Sequence, residues 1–124
     1  MTRNQRFSWL RELLVAVALR PFTVKLRRHF GARPNDRVKA EAYCEERIIP
    51  ALAGQREVVL DFAGTGLVTQ SFIHALISEA VKHDERWATR ITVTNASAPQ
   101  KAVFDLALRH MLDPNKNKVR PSGQ

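Results

Sequence analysis

The sequence predicts a small α/β domain in which helices pack against a largely parallel sheet of three or four strands. Strand and helix patterns alternate along the chain. The helices are long enough to serve as crossovers between parallel strands. At the centre lies a continuous apolar run, as in a buried strand. With 124 residues, 44% of them hydrophobic and 26% charged, the chain has the composition of one globular domain. A collagen, a disulfide scaffold and a disordered chain are excluded.

The first twenty residues have the pattern of a basic amphipathic helix. Trp9, Leu13 and Val17 recur at helical spacing, and Pro21 predicts the end of the helix. A cleaved secretory signal is not expected, because Glu12 interrupts the apolar run. The longest such run, Leu13 to Leu19, is too short to cross a bilayer. Together with a single cysteine, this predicts a cytoplasmic protein with no transmembrane segment.

The predicted domain, residues 21–113, begins with a strand and a helix. The strand is indicated by Phe22, Val24 and Leu26, which alternate with polar residues. Asp36 is a predicted helix cap. The helix runs through Ala40, Cys44 and Ile48. Because Pro50 lacks an amide donor, the helix is expected to end near Ile49 or to continue only as a distorted turn.

The clearest strand is Glu57 to Phe62, whose continuous apolar run predicts cover on both faces of the sheet. A glycine-rich bend follows, and a helix is predicted to begin at Thr69 or Gln70. Its predicted core residues share one wide face; they are Ile73, Leu76, Ile77, Ala80 and Val81.

The last strand and helix are predicted over Trp87 to Thr94 and from Ser97 onward. Ser97 and Gln100 have the spacing of a capping box, with proline in the first turn. Asp113 and Pro114 predict the end of this helix, and residues 114–124 form a polar tail. The face expected to pack on the domain comprises Val103, Leu106, Ala107 and Met111.

The net charge of +8 resides entirely in residues 1–40, because the remainder holds equal numbers of basic and acidic groups. Residues 3–39 could therefore bind nucleic acid or an anionic membrane surface. Alternatively, the first helix packs on the domain or on a second subunit and leaves its arginines in water. The residues proposed for this basic patch are Arg3, Arg6, Arg11, Arg20, Lys25, Arg27 and Arg28.

The bend after the central strand is the strongest functional feature, since ligands and partners meet parallel sheets at this edge. Gly64-Thr65-Gly66 lacks the lysine of a phosphate-binding loop and the third glycine of a dinucleotide loop. Ser71 lacks the flanking glycines of a hydrolase nucleophile. Two readings remain: the Ser71 and Thr69 hydroxyls only satisfy the helix start, or Ser71 is a phosphorylation switch that changes partner binding.

The segment Val58 to Leu76, VVLDFAGTGLVTQSFIHAL, resembles the central strand, loop and helix of STAS-like domains. It is more similar to a small bacterial STAS-like family of unknown function. Anti-sigma-factor antagonists share this architecture and carry Asp-Ser-Ser-Gly at the loop. Without gaps, that motif falls on Thr69, Gln70, Ser71 and Phe72. Only the regulatory serine, at Ser71, is retained.

The resemblance implies a noncatalytic regulatory module of signal transduction that binds a protein partner, with a histidine-kinase-type ATPase as one candidate. Ser71 is the candidate phosphoacceptor. The predicted partner-binding loop consists of Gly64, Thr65, Gly66, Thr69, Gln70 and Phe72.

No enzymatic activity, metal or cofactor is expected from the remaining residues. The histidines have no metal-ligand spacing with Cys44 or the carboxylates. Asp61 has no paired carboxylate or nucleophile near it, and is expected to accept hydrogen bonds from the loop that follows. Cys44 lies on an apolar helical face and is expected to act as a small hydrophobe.

Overall fold

Three parallel strands form the sheet in the order β1-β2-β3, with β1 at Phe22–Lys25, β2 at Val58–Asp61 and β3 at Ile91–Thr94. In register, Val24 pairs with Leu60, and Leu60 pairs with Val93. These positions come from a computed structural model that describes residues 20–113. The predicted α/β class and parallel sheet are confirmed.

The described part of the chain contains five α-helices, with a π-helical turn, Cys44–Ile48, between the second and third. A 3-10 helix, Glu85–Arg90, leads into β3. In chain order the helices are α1 (Leu26–Phe30), α2 (Arg37–Tyr43), α3 (Ile49–Ala53), α4 (Gln70–His83) and α5 (Ala98–Leu112). Helix α4 packs against both α2 and α5 and forms the middle of the helical layer.

The helical layer covers one face of the sheet. Strand order follows chain order, so right-handed crossovers place successive helices on the same side. The side chains beneath the layer include Val24, Leu60 and Ile91, all buried. The predicted core face of α4 is confirmed, because all five of its residues are buried.

The other face of the sheet is polar and is not covered by any residue in the range 20–113. Thr23, Thr92 and Thr94 are exposed there, and Val59 is only half-buried. The expectation that β2 is covered on both faces is therefore wrong for this part of the chain. The apolar sequence of β2 does not indicate that both crossovers lie on the same side of the sheet.

The first long helix does not end before Pro50. The Ile49 amide donates to the Cys44 carbonyl, five residues back, so the chain makes a π turn before continuing through α3. An ordinary helix would bring the Pro50 ring against the carbonyl of Glu46, and the wider turn makes room for it. Of the two expected outcomes, the end near Ile49 is wrong, and the continuation through a distorted turn is what the structure has, as far as Ala53.

Two further expectations are corrected near the chain's end. Trp87 belongs to the 3-10 helix, and only Ile91–Thr94 is strand. The Arg90 guanidinium holds this segment by donating to the carbonyls of Leu52, at 2.9 Å, and Arg56, at 2.7 Å. On α5, Leu106 is 40% exposed, because the packed face turns through Phe104 and Ala107 instead.

All three predicted helix caps are confirmed. The Asp36, Thr69 and Ser97 side chains each accept from a backbone amide three residues ahead. Helix α5 also has the full capping box, since the Gln100 side chain accepts from the Ser97 amide at 2.8 Å.

The predicted N-terminal segment, apart from Arg20, and the tail 114–124 lie outside the described residues. So do Arg3, Arg6 and Arg11 of the predicted basic patch. Among residues 20–113, no helix has the length and apolarity needed to cross a membrane.

Candidate functional site

The chain between β2 and α4, residues 62–69, forms a loop at the carboxyl edge of the sheet; we call it the β2–α4 loop. The Thr65 hydroxyl donates to the Phe62 carbonyl at 2.6 Å, and the Thr65 amide donates to the same oxygen at 3.0 Å. The Gly66 amide donates to the Ala32 carbonyl at 2.7 Å. The loop is thus closed on itself and tied to the segment that precedes α2.

Gln100, in the first turn of α5, fastens the β2–α4 loop from the other side. Its side-chain amide donates to the carbonyls of Thr65, at 3.1 Å, and Gly66, at 2.7 Å. The same nitrogen lies 3.2 Å from the Thr65 hydroxyl. Gln100 is only 8% exposed, so water can replace these bonds poorly. The capping-box spacing identified Gln100 as a cap but gave no sign of its contacts with the loop.

Gly64 permits a close approach between the loop and α1. Its φ of 75° lies in the left-handed region, which glycine adopts without strain. A Cβ at this position would lie 2.8 Å from Cδ and 2.9 Å from Nη1 of Arg27. The Arg27 side chain therefore lies directly against the loop backbone.

Ser71 is exposed in the first turn of α4. Thr69 is the N-cap and accepts from the Phe72 amide at 3.1 Å. The Ser71 Oγ lies 3.4 Å from the Thr69 Oγ1. The structural cap is thus Thr69, and Ser71 presents a hydroxyl to solvent at a helix end that favours negative charge.

Phe72 lies beneath this surface and is fully buried. Its ring packs edge-on against Phe30, with centroids 5.0 Å apart, and Phe30 packs in turn on Tyr43 at 5.5 Å. The Phe72 side chain, predicted to belong to the partner-binding loop, cannot reach a partner at the surface. Its place is beneath Ser71, where it anchors the start of α4 in the core.

Two large apolar side chains are exposed at the carboxyl edge. Leu67, in the β2–α4 loop, is 76% exposed, and Val38, at the start of α2, is 78% exposed. Sequence reasoning missed both. The available signal was that Leu67 follows a glycine-rich bend and matches no helical or strand periodicity.

The remaining predicted loop residues differ in accessibility. Gly64, Gly66 and Thr69 are exposed, whereas Thr65 and Gln70 are half-buried. The exposed positions available to a partner are therefore the glycines, Leu67, Thr69 and Ser71.

Asp61, at the end of β2, is held by two hydrogen bonds to its Oδ1. The Asn95 side-chain amide donates at 3.0 Å and the Ala63 amide at 2.9 Å. These bonds, led by that from Asn95, lower the pKa of the Asp61 carboxyl. The expected role as acceptor for the following loop is confirmed. Asn95 joins β3 to this network from a backbone φ of 55°.

The Asp61 network predicts a small loss of stability in acid. Because the folded-state pKa is lowered, the stabilisation is present above the ordinary value of about 4 and is lost as pH falls through the folded pKa. In thermal unfolding experiments, the free energy of unfolding of the wild type should fall relative to that of Asp61→Asn between about pH 5 and pH 3, by less than about 1 kcal/mol. Parallel curves for the two proteins would contradict this role of Asp61.

A cleft of about 420 Å³ opens beside the loop, lined by Lys25, Arg27, Arg28, Asp61 and Ala63. The structure thus brings together three members of the predicted basic patch. Arg20 is not among the lining residues; its carbonyl accepts from the Arg56 side chain at 2.8 Å.

The other chemistry-bearing residues form no site within residues 20–113. There, no group of three histidine, cysteine, aspartate or glutamate side chains could hold a metal ion. Cys44 is buried, as expected of a small hydrophobe, and burial raises the pKa of its thiol to about 11.

Residues 45–101 match the model of a family described as a STAS-like domain of unknown function, DUF4325. Residues 45–101 are therefore similar to a STAS-like domain. The match runs from the π turn to the first turn of α5 and includes the β2–α4 loop, Ser71 and Gln100. No curated protein and no solved structure matches the chain. This similarity points to a regulatory or protein-interaction role.

Proposed function

We propose that this chain is a noncatalytic regulatory module that binds a protein partner through the β2–α4 loop and the start of α4. The observation that carries the proposal is an exposed hydroxyl, Ser71, four residues after an exposed apolar side chain, Leu67, which lies on a loop held from both sides. An apolar residue on a rigid loop can enter a pocket of a partner at little entropic cost.

Ser71 is, in this proposal, the phosphorylation switch. A phosphate there adds about −1.5 to −2 charges at a helix N-terminus, which tolerates them, so α4 remains folded. The same charge, four residues from Leu67, opposes burial of this surface in an apolar pocket of the partner. We infer a protein kinase related to histidine-kinase ATPases as the partner, following the resemblance to anti-sigma-factor antagonists.

The environment of Asp61 supports a noncatalytic role. A general base needs a pKa near the working pH, whereas hydrogen bonds from Asn95 and Ala63 lower that of Asp61. The Ser71 Oγ lies 3.4 Å from the Thr69 Oγ1, which is another hydroxyl and cannot serve as a base.

The test is a pull-down with the full chain in which variants are compared side by side. Leu67→Ser and Ser71→Asp should each reduce retention of the same partner about tenfold or more, with unfolding midpoints near that of wild type. Ser71→Asn introduces a side chain of the same size as Ser71→Asp but without its charge, and it should bind the partner almost as well as wild type does.

Leu112→Ser is the matched control for Leu67, because Leu112 is also exposed but lies at the far end of α5. It should retain the partner fully. If Leu67→Ser and Ser71→Asp hold their partners as well as Leu112→Ser does, the proposed surface is wrong. Incubation with the captured kinase and ATP should modify wild type and leave Ser71→Ala unmodified.

A further inference from the structure

The basic cleft at the carboxyl edge is chemically distinct from the surface around Ser71. It lies where the polar face of the sheet meets this edge, because Lys25 and Asp61 are the last residues of paired strands. Arg27 and Arg28, from α1, complete its wall. Ser71 and Leu67 do not line it.

The charges of the cleft favour an anion with two negative charges. Lys25, Arg27 and Arg28 supply three positive charges and Asp61 one negative charge, leaving a net of +2. A phosphate monoester carries about −1.5 to −2 charges at neutral pH, and guanidinium groups bind its oxygens in pairs. We propose that the cleft is a binding site for a phosphate monoester.

Arg27 is positioned for this role by Gly64. Its Cδ and Nη1 lie only 2.8 and 2.9 Å from the position that a Cβ of residue 64 would take, so the loop backbone restricts the side chain. A restricted arginine loses less conformational entropy when it binds an oxyanion. The volume of about 420 Å³ exceeds that of a phosphate group, so the cleft also admits part of the molecule that carries it.

Replacing Asp61 tests the proposal, because it should change phosphate affinity in the opposite direction from replacing an arginine. The Asp61 carboxylate stabilises the unoccupied cleft beside Lys25 but repels a bound phosphate. Asp61→Asn should therefore tighten phosphate binding about threefold, whereas Arg27→Gln and Arg28→Gln should each weaken it about three- to tenfold. If phosphate bound nonspecifically to basic surface, the loss of an arginine elsewhere on the domain would weaken binding as well.

The experiment is a calorimetric titration of the full chain with inorganic phosphate at constant ionic strength. We expect saturable binding in about the millimolar range. Affinity should fall as the pH is lowered from about 8 to about 6, because inorganic phosphate loses its second charge over this range. Dimethyl phosphate, which keeps one charge throughout, should bind more weakly than inorganic phosphate at the higher pH, and its affinity should change little with pH.

Arg109→Gln is the matched control, since it removes one positive charge from the far end of α5. It should bind phosphate as wild type does. Equal weakening by Arg109→Gln and Arg28→Gln, no tightening by Asp61→Asn, or no saturation by about 50 mM phosphate would each overturn the site. Preference for duplex DNA over the monoester per phosphate would also overturn it.

Two further ligands identify the source of the phosphate. A phosphoserine peptide that binds more tightly than inorganic phosphate indicates a modified protein, whereas tighter binding of AMP indicates a nucleotide. Both results support the monoester site. Leu67→Ser and Ser71→Asn should leave phosphate binding unchanged, so failure of the proposed partner surface and failure of this cleft are separately visible.

Discussion

Replacing Phe72 with alanine should lower the free energy of unfolding by about 3–5 kcal/mol. The ring is fully buried, and its nearest aromatic neighbour, Phe30, is packed against it edge-on at 5.0 Å. Alanine leaves a cavity between α1 and the start of α4, because neither element can collapse fully onto it. Small domains are stable by only about 5–15 kcal/mol, so this variant should unfold at a much lower urea concentration than wild type.

A milder pair of variants separates stability from function. Phe72→Leu and Phe104→Leu each reduce a buried ring to a smaller side chain, and each should cost about 1–2 kcal/mol. Only Phe72 lies under Ser71, so only Phe72→Leu should change the rate at which Ser71 is phosphorylated. If the two variants change that rate equally, Phe72 does not position the start of α4.

Replacing Gln100 with alanine should cost about 2–3 kcal/mol and loosen the β2–α4 loop. The change leaves the Thr65 and Gly66 carbonyls without the donor that joins them to α5. It also removes the acceptor for the Ser97 amide. Hydrogen exchange at the Thr65 and Gly66 amides should accelerate about 10–30-fold, and partner binding should fall with it.

Ser97→Ala is the control for Gln100, because it removes the cap of α5 but keeps the contacts of the Gln100 amide with the loop. It should cost about 1 kcal/mol. Exchange at Thr65 and Gly66 should then remain close to that of wild type. Comparable acceleration in both variants would mean that the α5 cap, rather than the Gln100 amide, holds the loop.

Local signals were sufficient for the elements around the site. Thr69 and Ser97 indicate where helices begin. Each can do so from the local sequence, because a cap side chain accepts from an amide only three residues ahead. The buried face of α4 follows from helical periodicity, and the strand-to-helix junction from the glycines between them. The exposure of the Ser71 hydroxyl agrees with the prediction, whereas Phe72 in the same turn is buried.

The corrections concern effects that depend on more than one turn of chain. The sequence left open whether the helix ends before Pro50 or continues as a distorted turn, and the π turn before Pro50 accommodates its ring. Phe72 was assigned to the surface with Ser71, although adjacent residues of a helix point in different directions and Phe72 faces Phe30. The open face of the sheet follows from the order of the strands, which cannot be inferred from the sequence of any one strand.

The sequence by itself determined a parallel α/β domain, the start of α4, and the display of Ser71, because caps and periodicity act over a few residues. Tertiary structure decided which distant groups meet at the carboxyl edge. Gln100 reaches a loop 34 and 35 residues earlier, and Asn95 reaches Asp61 across 34 residues. Such contacts depend on how the strands are ordered and on which side the helices pack, so they arise only when the whole sheet is assembled.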